Sequence, residues 1–502
     1  MNANIYSLLS TRSSGTPDRP CLETESGRVY TYGDLDRETA RLARFFVDLG
    51  LKRGERIAVQ VEKSPEALFV YLAAVRAGLV YLPLNTAYQR GEMEYFLRDA
   101  EPGLVVCTPA AHATIEPLAR GAGARHVHTL DENGGGTLIE ASRAAPPDFE
   151  TVPVEADELA ALLYTSGTTG RSKGAMLTHG NLSSNALTLY DYWGFGPTDV
   201  LLHALPIFHV HGLFVASNLA LLSTGKMIFL RKFDAKQVLQ HLPRATVFMG
   251  VPTYYTRLLA EPDLNAEVCR NMRLFISGSA PLLKETFAEF RRRTGHTILE
   301  RYGMSETNMN TSNPLNGERV AGTVGLPLPG VEVRVVDDDN RPVATGTIGN
   351  IQVRGPNVFK GYWRMPEKTR EEFTADGWFR TGDMGQFDAN GYLTIVGRSK
   401  DLVITGGYNV YPKEIETLID EMPEVVESAV IGVPHPDFGE AVTAVVVKRA
   451  GATLDEATVL TRLKGQIANY KVPKRVYFVD ELPRNTMGKV QKNVLRDRYR
   501  NG

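Results

Sequence analysis

Hydrophobic and polar positions alternate along the chain in two periods, one typical of helices and one typical of strands. The segment TYGDLDRETARLARFFVDLG repeats apolar residues at helical spacing and stops at Gly50, which predicts an amphipathic helix. Thr31 and Asp34 have the spacing of an N-terminal capping box. The next segment, ERIAVQVE, alternates at a period of two and predicts a strand.

This succession of strand and helix recurs further along the chain. ATVFMGVP and MRLFIS have strand patterns, and they are followed by the helical patterns TYYTRLLAEP and APLLKETFAEFRRRTG. Such alternation predicts a parallel sheet covered by helices. Ligands of such sheets bind at the carboxyl ends of the strands.

The pattern changes twice in the second half of the chain. Between about Val331 and Gly397, short alternating strands separated by turn residues predict an antiparallel subdomain. Beyond Arg398, helical patterns (EIETLIDEM, ATVLTRLKGQIANY) and strand patterns (ESAVIGV, AVTAVVV, RVYFV) predict a small α+β domain. The predicted fold is α/β, with a large N-terminal domain over 1–398 and a small C-terminal domain over 399–502.

Composition excludes several classes of protein. The 502 residues are 43% apolar and 23% charged, with 56 basic and 58 acidic residues and a net charge of -2. Generic nucleic-acid and membrane-surface binders usually need a basic excess. Cys21, Cys107 and Cys269 are too scattered for a disulfide framework or a CxxC metal site. With neither a signal-like N-terminus nor an apolar run long enough to span a bilayer, we expect a cytoplasmic protein.

A glycine-rich stretch, YTSGTTGRSKG at 164–174, follows the apolar run at 159–163. Glycines let backbone N–H groups approach a ligand closely, and phosphate is the ligand that such loops suit. The spacing fits neither the Walker pattern nor the GxGxxG dinucleotide fingerprint. From spacing alone, a flexible surface loop remains the alternative.

Five more segments follow this stretch in order: SGSAPL (277–282), ERYGMSET (300–307), GWFRTGD (377–383), GRSKDLVITGGYNVYPKEIE (397–416) and PRNTMGKVQK (483–492). In residues and order, the six resemble the adenylate-forming superfamily, which includes acyl-CoA synthetases, firefly luciferase and adenylation domains of peptide synthetases. The resemblance implies two half-reactions with ATP, Mg²⁺ and coenzyme A. A carboxylate attacks the α-phosphate of ATP, and a thiol then attacks the acyl carbon of the resulting adenylate.

The resemblance also implies roles for individual residues. The β- and γ-phosphates would be held by Thr165, Ser166, Gly167, Thr168, Thr169, Gly170 and Lys173. The adenine would be framed by Gly278, Ser279, Ala280, Tyr302 and Gly303, and Ser305 would be a further nucleotide-binding residue. Asp383 would accept hydrogen bonds from the ribose, beside Arg398, although an Asp in TGD also suits a turn. Thr165 and Glu306 would hold Mg²⁺, whereas a Glu after a loop is more often solvated or capping.

Lys489, with Lys173 and Glu306, would be catalytic, and the resemblance makes Lys489 the cation that bridges the substrate carboxylate and the α-phosphate. Because this lysine would obstruct entry of the thiol, the small domain is expected to rotate between half-reactions. Ser399 and Lys400 would form the hinge. The pantetheine route would be lined by Gly406 and Gly407.

Arg301 is the residue that points to a particular acid. It precedes the YG of the adenine motif, where this family has a pocket residue that is commonly small or uncharged. A buried guanidinium needs an anionic partner, and a second carboxylate on the substrate would supply it. The alternative is that Arg301 folds back onto Glu300 or Glu306, which would leave a general short-chain or aromatic acid ligase.

Other residues are candidates for the same pocket. LPIFHVHGLF together with ERYGMSE resembles malonyl-CoA synthetases, so malonate, with methylmalonate tolerated, is the predicted acid. His209 and Ser277 are predicted pocket residues and His211 a structural one, since a metal site would need a third ligand. Arg257 is a further candidate, with an exposed position on its helix as the alternative.

Two other classes of function stay open at this stage. A carrier-loading or luciferase-type enzyme would form the same adenylate but pass the acyl group to a protein-bound thiol or to oxygen. A nucleotide-binding protein without catalysis is the second. The predicted partners are small molecules (malonate, ATP and CoA), with no nucleic acid, membrane or obligate protein partner.

Overall fold

The computed structural model describes residues 2–165, 172–405, 408–464, 466–485 and 488–500. The helices are α1 (Ile5–Ser13), α2 (Tyr32–Asp48), α3 (Pro65–Arg76), α4 (Arg90–Ala100), α5 (His112–Gly121), α6 (Thr137–Ser142), α7 (His179–Tyr192), α8 (Asn218–Leu222), α9 (Ala235–His241), α10 (Pro252–Ala260), α11 (Lys284–Thr294), α12 (Pro366–Glu372), α13 (Pro412–Asp420), α14 (Glu456–Lys464) and α15 (Lys492–Tyr499).

The strands are β1 (Pro20–Thr24), β2 (Val29–Thr31), β3 (Arg56–Gln60), β4 (Val80–Pro83), β5 (Leu104–Cys107), β6 (His126–Thr129), β7 (Leu159–Thr165), β8 (Lys173–Thr178), β9 (Val200–His203), β10 (Lys226–Phe229), β11 (Val247–Gly250), β12 (Leu274–Ser277), β13 (Ile298–Met304), β14 (Asn308–Ser312), β15 (Leu326–Pro327), β16 (Glu332–Val336), β17 (Gly349–Arg354), β18 (Gly361–Tyr362), β19 (Phe379–Phe387), β20 (Leu393–Arg398), β21 (Val403–Thr405), β22 (Tyr408–Val410), β23 (Val425–His435), β24 (Gly439–Lys448) and β25 (Arg475–Val479).

Local signals set the starts of the first long helices. At α2, the backbone N–H of Asp34 donates to Thr31 Oγ1 and the N–H of Thr31 donates to Asp34 Oδ2, which completes the predicted capping box. At α3, Ser64 Oγ accepts from the N–H of Ala67. Every residue of α3 is buried, so this helix lies inside the large hydrophobic core instead of on its surface.

Two mixed sheets build the large N-terminal part. One has the strand order β18-β8-β7-β4-β3-β5-β6, in which β3 pairs in parallel with β4 and β5. The other has the order β15-β14-β13-β12-β11-β9-β10-β1-β2, in which β11, β12 and β13 are parallel. The predicted helix-covered sheets are therefore present. Each sheet also has antiparallel strands at an edge, such as β8 and β14.

The predicted antiparallel subdomain is the sheet β16-β17-β19-β20, in which every neighbouring pair is antiparallel. Its last pair places Asp383 opposite Arg398. The backbone then passes through a short 3₁₀ turn at Ser399–Asp401. This sheet therefore brings a carboxylate and a guanidinium together at the point where the large part of the chain ends.

The segment after residue 402 has a hydrophobic core of its own. Its sheet has the order β22-β21-β24-β23, with β25 beside β24, and its core residues come from within 403–476. The helix predicted over ATVLTRLKGQIANY was too long, because α14 ends at Lys464. Beyond it, Tyr470 stacks on Tyr408 at 4.7 Å between ring centroids, and Lys471 pairs with Glu414 at 2.7 Å. These contacts hold the segment against β22 and α13.

No helix within the described ranges is long and apolar enough to cross a membrane.

Candidate active site

The glycine-rich stretch joins the two strands of a hairpin. Strands β7 and β8 are antiparallel, and their last pair is Thr165 opposite Lys173. Residues 166–171 lie outside the described residues, and with them the predicted phosphate contacts of Ser166, Gly167, Thr168, Thr169 and Gly170. Thr165 and Lys173 therefore mark the two ends of the candidate phosphate loop.

Glu306 lies beside the first end of this loop. The hydroxyl of Thr165 donates to Glu306 Oε1 at 3.4 Å, and the hydroxyl of Tyr362 donates to the same oxygen at 3.1 Å. Glu306 is buried, and burial raises the pKa of its carboxyl. The structure thus brings together Thr165 and Glu306, the two residues predicted to hold a metal ion.

Lys173 lies at the other end of the loop between an anion and an aromatic ring. Its Nζ is 3.4 Å from Glu372 Oε1 and 4.2 Å from the centroid of the Tyr362 ring. Lys368 Nζ lies 3.2 Å from the same oxygen of Glu372. Glu372 thus faces two cations, and Tyr362 contacts both Lys173 and Glu306.

Tyr302 and Asp383 form the next part of the site. The hydroxyl of Tyr302 donates to Asp383 Oδ2 at 2.5 Å, and Arg398 Nε lies 3.1 Å from Asp383 Oδ1. Burial, followed by the charge of Asp383, raises the pKa of Tyr302 well above its ordinary value. The structure therefore brings the predicted adenine and ribose residues together, with Arg398 beside Asp383 as expected.

Two glycines of the predicted adenine site lie close to neighbouring groups, Gly303 to backbone and Gly278 to the guanidinium of Arg301. A Cβ on Gly303 would lie 1.9 Å from the carbonyl oxygen of Asn308, and a Cβ on Gly278 would lie 2.4 Å from Cζ of Arg301. Ser279 has a φ of 72°, in the left-handed region that non-glycine residues seldom adopt. Ala280 and Ser305, the remaining predicted nucleotide-binding residues of these two motifs, are half-buried.

Arg301 is a buried cation whose charge is not neutralised by a neighbouring side chain among the described residues. It is 2% exposed, and its Nε and Nη2 have no hydrogen-bond partner there. Burial lowers the pKa of Arg301 to about 9, which still leaves it charged at neutral pH. His211 Nε2 is also buried without a hydrogen-bond partner in the described part of the chain, and burial and the charge of Arg301 lower the pKa of His211. Ser277 Oγ is likewise unpartnered there, but Ser277 pairs with Glu300, so its side chain lies on the opposite face of the sheet from Arg301. Buried polar groups are normally hydrogen-bonded, so this cluster of Arg301 and His211 indicates a ligand site.

The two histidines of LPIFHVHGLF both lie at this cluster. His211 is 2% exposed, and its Nδ1 is 3.4 Å from Ser279 Oγ. Burial and the charges of Lys489 and Arg301 lower the pKa of His209 to about 3, so His209 is neutral at physiological pH. His211, predicted to be structural, has an unpartnered ring nitrogen within the described residues and lies near Arg301, which makes it a further candidate for the pocket.

Glu300 does not neutralise Arg301, although the two are adjacent in sequence. Its Oε1 accepts from the backbone N–H of Leu282 at 3.1 Å, and Oε2 is buried without a partner among the described residues. Burial raises the pKa of Glu300 from 4.5 to about 8. Glu306 is engaged with Tyr362 and Thr165 instead. The alternative in which Arg301 folds back onto either glutamate is not what the structure shows.

The raised pKa of Glu300 predicts a pH-dependent stability. The folded protein retains a proton on Glu300 that the unfolded chain releases above pH 4.5. The contribution of Glu300 to the free energy of unfolding is therefore complete below pH 4.5 and is lost as pH rises through about 8. We expect Glu300→Gln to raise the free energy of unfolding at pH 8.5 by on the order of 3 kcal/mol and to have little effect near pH 4.5. Urea unfolding at both pH values measures this. The exposed Glu421→Gln is the control, and an equal effect of Glu300→Gln at both pH values would contradict the prediction.

Lys489 faces the same site from the C-terminal segment. Its side chain is half-buried, and its pKa is lowered by burial and by Arg398, against the attraction of Asp383 and Glu306. Its charge also contributes to the lowered pKa of His209. The structure therefore brings Lys489 to both the candidate phosphate site and the candidate acid pocket.

The backbone around Lys489 is held by a local turn and by the helix that follows. The N–H of Lys489 donates to Asn485 Oδ1, and the N–H of Asn485 donates to the carbonyl of Lys489, both at 2.9 Å. In α15, Lys492 lies 2.5 Å from Glu416. The position of Lys489 is thus fixed by the small C-terminal part.

The remaining predicted residues are placed differently. Arg257 is exposed on α10; the face of this helix that packs into the core carries Tyr255 and Leu258, so the predicted role of Arg257 in the pocket is not supported. Ser399 Oγ donates to the carbonyl of Gly382 at 3.1 Å, and Ser399 and Lys400 are exposed. Gly406 and Gly407 lie outside the described residues.

Sequence reasoning missed two residues of the site, Tyr362 and Glu372. Both lie in the segment 361–372, between the adenine motif and GWFRTGD, outside the six motifs. The short KGYW sequence, an aromatic pair after a glycine, is the signal that could have pointed to Tyr362; the structure holds that glycine at a φ of 134°.

Comparisons with known proteins identify the family of the chain. The AMP-binding enzyme family matches residues 9–363, and the AMP-binding enzyme C-terminal domain matches residues 414–489. A malonate–CoA ligase of Arabidopsis thaliana is 35% identical in sequence, and the match covers 99% of this chain and 89% of the ligase. A sulfoacetate–CoA ligase of Cupriavidus necator is 36% identical, and the match covers 98% of this chain and 97% of that ligase. The crystal structure of ATP-bound MatB from Rhodopseudomonas palustris has a similar fold, with a TM-score of 0.98 and 60% sequence identity. The match covers 100% of this chain and 99% of the MatB chain.

Proposed function

The chain belongs to the AMP-binding enzyme family, and we propose that it is an AMP-forming acid–thiol ligase that converts malonate, ATP and coenzyme A into malonyl-CoA, AMP and pyrophosphate. The reaction proceeds through a malonyl-adenylate. Methylmalonate is the next acid that we expect it to accept.

The buried guanidinium of Arg301 is the observation that supports this choice of acid. Leaving a buried charge unpaired costs several kcal/mol, and the described residues offer Arg301 no carboxylate partner. A diacid supplies one, because one carboxylate can pair with Arg301 while the other remains available for reaction. His209 and His211 add neutral polar groups beside Arg301.

In the first half-reaction, an oxygen of the free carboxylate attacks the α-phosphorus of ATP and pyrophosphate leaves. Both reactants are anions, so catalysis depends on cations and N–H groups positioned before the reaction. Lys489 would bridge the carboxylate and the α-phosphate, and Lys173 would hold the β- and γ-phosphates. Tyr302 would pack on the adenine and Asp383 would accept hydrogen bonds from the ribose.

Mg²⁺ is proposed as a companion of ATP at Glu306 and Thr165. Across the described ranges, no group of three or more His, Cys, Asp or Glu side chains could hold a metal ion by itself. Magnesium in nucleotide sites usually takes one or two carboxylates together with phosphate oxygens and water, and Glu306 with the Thr165 hydroxyl fits that need. The ion would neutralise negative charge on the phosphates.

In the second half-reaction, the thiolate of coenzyme A attacks the acyl carbon and AMP leaves. Lys489 would stand in the way of the thiol, so we propose that the part after residue 398 rotates about Ser399 and Lys400 between the steps. The separate core within 403–476 supports a domain boundary there. Gly406 and Gly407 would then line the pantetheine route.

A cavity beside the loop that carries His209 supports the use of coenzyme A. Its volume is about 230 Å³, and Pro206, Ile207 and Phe208 line one side of it. Arg231 and Lys232 also line it and are exposed; Arg231 is paired with Glu132 at 3.3 Å, so Lys232 is the cation that we propose for the phosphates of coenzyme A. We propose that the thiol arm approaches the acyl carbon past this cavity.

A screen for pyrophosphate release tests the proposal. The purified protein would be mixed with ATP, Mg²⁺ and coenzyme A and with each of malonate, methylmalonate, succinate, sulfoacetate, acetate, benzoate and ferulate, and products would be identified by mass. We expect malonate to give the highest rate and malonyl-CoA as product. Sulfoacetate is included because its sulfonate, like the second carboxylate of malonate, would supply Arg301 with a negative charge.

The other outcomes of this screen separate the alternatives. Faster turnover of acetate, benzoate or ferulate would overturn the choice of a diacid. Pyrophosphate without an acyl-CoA product would favour transfer to a carrier protein or to oxygen. Failure of every acid to release pyrophosphate would favour a nucleotide-binding protein without catalysis.

A further inference from the structure

Tyr362 contacts two oppositely charged side chains, Glu306 and Lys173. It lies on β18, pairs with Ala175 of β8, and is 3% exposed. Its hydroxyl donates to Glu306 Oε1 at 3.1 Å, and its ring centroid is 4.2 Å from Lys173 Nζ. One rigid side chain therefore fixes the distance between an anion and a cation.

The hydroxyl contact orients the carboxylate of Glu306. Glu306 is 6% exposed, and the Tyr362 hydroxyl donates to its Oε1 at 3.1 Å, whereas the Thr165 hydroxyl lies 3.4 Å from that oxygen and equally far from the carbonyl oxygen of Lys173. The hydrogen bond from Tyr362 restricts the rotation of the carboxylate. An ion with strict coordination geometry, as Mg²⁺ has, requires such a fixed ligand.

The ring contact holds Lys173 without neutralising its charge. A cation over an aromatic face is attracted by the ring quadrupole, whereas an ion pair offsets the charge with a full negative one. Glu372 is the anion nearest to Lys173, at 3.4 Å, and Lys368 shares it at 3.2 Å. Tyr362 thus contacts Lys173 without adding a second anion, and the one carboxylate that pairs with Lys173 is shared with Lys368.

From these contacts we propose that Tyr362 is a positioning residue for the nucleotide. Its hydroxyl sets the carboxylate that receives the metal ion, and its ring sets the lysine that receives the terminal phosphates. The inference rests on the proposed function only in taking ATP with Mg²⁺ as a ligand, and it does not depend on which acid is used.

The two contacts can be removed separately. Tyr362→Phe keeps the ring and removes the hydroxyl. We expect the Mg²⁺ concentration that gives half-maximal ATP binding to rise about tenfold in this variant, because a hydrogen bond to a charged group is lost. Its affinity for ATP in excess EDTA should equal that of the wild type. Tyr362→Leu also removes the ring and should weaken ATP binding both with Mg²⁺ and in EDTA.

Isothermal titration calorimetry of ATP, in a series of Mg²⁺ concentrations and in EDTA, measures these changes without acid or coenzyme A present. Tyr392→Phe is the matched control, because its hydroxyl donates to the carbonyl of Glu318 at 2.8 Å and lies outside the proposed site. Thermal unfolding of each variant identifies any that does not fold.

A double-mutant cycle separates a role through Glu306 from a general effect on the fold. If Tyr362 acts through Glu306, then Tyr362→Phe should have no further effect on Mg²⁺ dependence in a Glu306→Gln background. An unchanged Mg²⁺ dependence in folded Tyr362→Phe would overturn the proposal, as would an equal effect in both backgrounds. A failure of malonate turnover in the acid screen, with these binding results intact, would affect only the proposed function.

Discussion

Arg301→Ala is expected to lower kcat/KM for malonate by about three orders of magnitude. The substitution removes the buried cation that faces the second carboxylate of the substrate and leaves that carboxylate unpaired in the pocket, at a cost of about 4 kcal/mol. The affinity for ATP should change little, because Arg301 is not among the residues around the phosphates. Steady-state kinetics with malonate, together with calorimetric titration of ATP, measures both effects.

Three comparisons make the Arg301 result specific. Arg257→Ala removes an exposed arginine from α10 and should leave malonate kinetics unchanged. Arg301→Lys should recover only part of the activity, because an ammonium group cannot pair in a bidentate manner with a carboxylate. Acetate, which has no second carboxylate, should not suffer from Arg301→Ala. Wild-type turnover of malonate by the alanine variant would refute the assignment of the acid.

Lys489→Ala is expected to slow formation of the malonyl-adenylate by about a hundredfold to a thousandfold, the effect of removing one preorganised charge from a transition state. The second half-reaction should be nearly unaffected, because the role proposed for Lys489 is confined to the attack on the α-phosphate. The first step is followed by exchange of labelled pyrophosphate into ATP. The second is followed by the release of AMP from chemically prepared malonyl-adenylate on addition of coenzyme A.

Lys464→Ala is the control for this experiment, since Lys464 is exposed at the end of α14 in the same part of the chain. It should leave both half-reactions at wild-type rates. If Lys489→Ala slowed both half-reactions equally, the lysine would support binding or folding in general, and the proposed rotation of the small domain would lose its chemical reason.

Much of the fold could be read from the chain because its signals are local. The capping box of Thr31 and Asp34 and the strands around Val247–Gly250 and Leu274–Ser277 depend on residues a few positions apart. The end of α14 could not be read in this way, since stacking of Tyr470 on Tyr408 joins two segments distant in sequence. The side of α10 that carries Arg257 was decided by which of its faces packs into the core.

By itself, the sequence determined the order of the motifs, the class of chemistry and the placing of an arginine next to the adenine motif. Only the tertiary structure decided that this arginine has no carboxylate partner among the described residues, that Lys173 meets Glu372 across 199 positions, and that Tyr362 meets Glu306 across 56. The physical reason is that propensity and periodicity act over a few residues, whereas the charge state and partners of a buried group depend on every chain segment that packs around it.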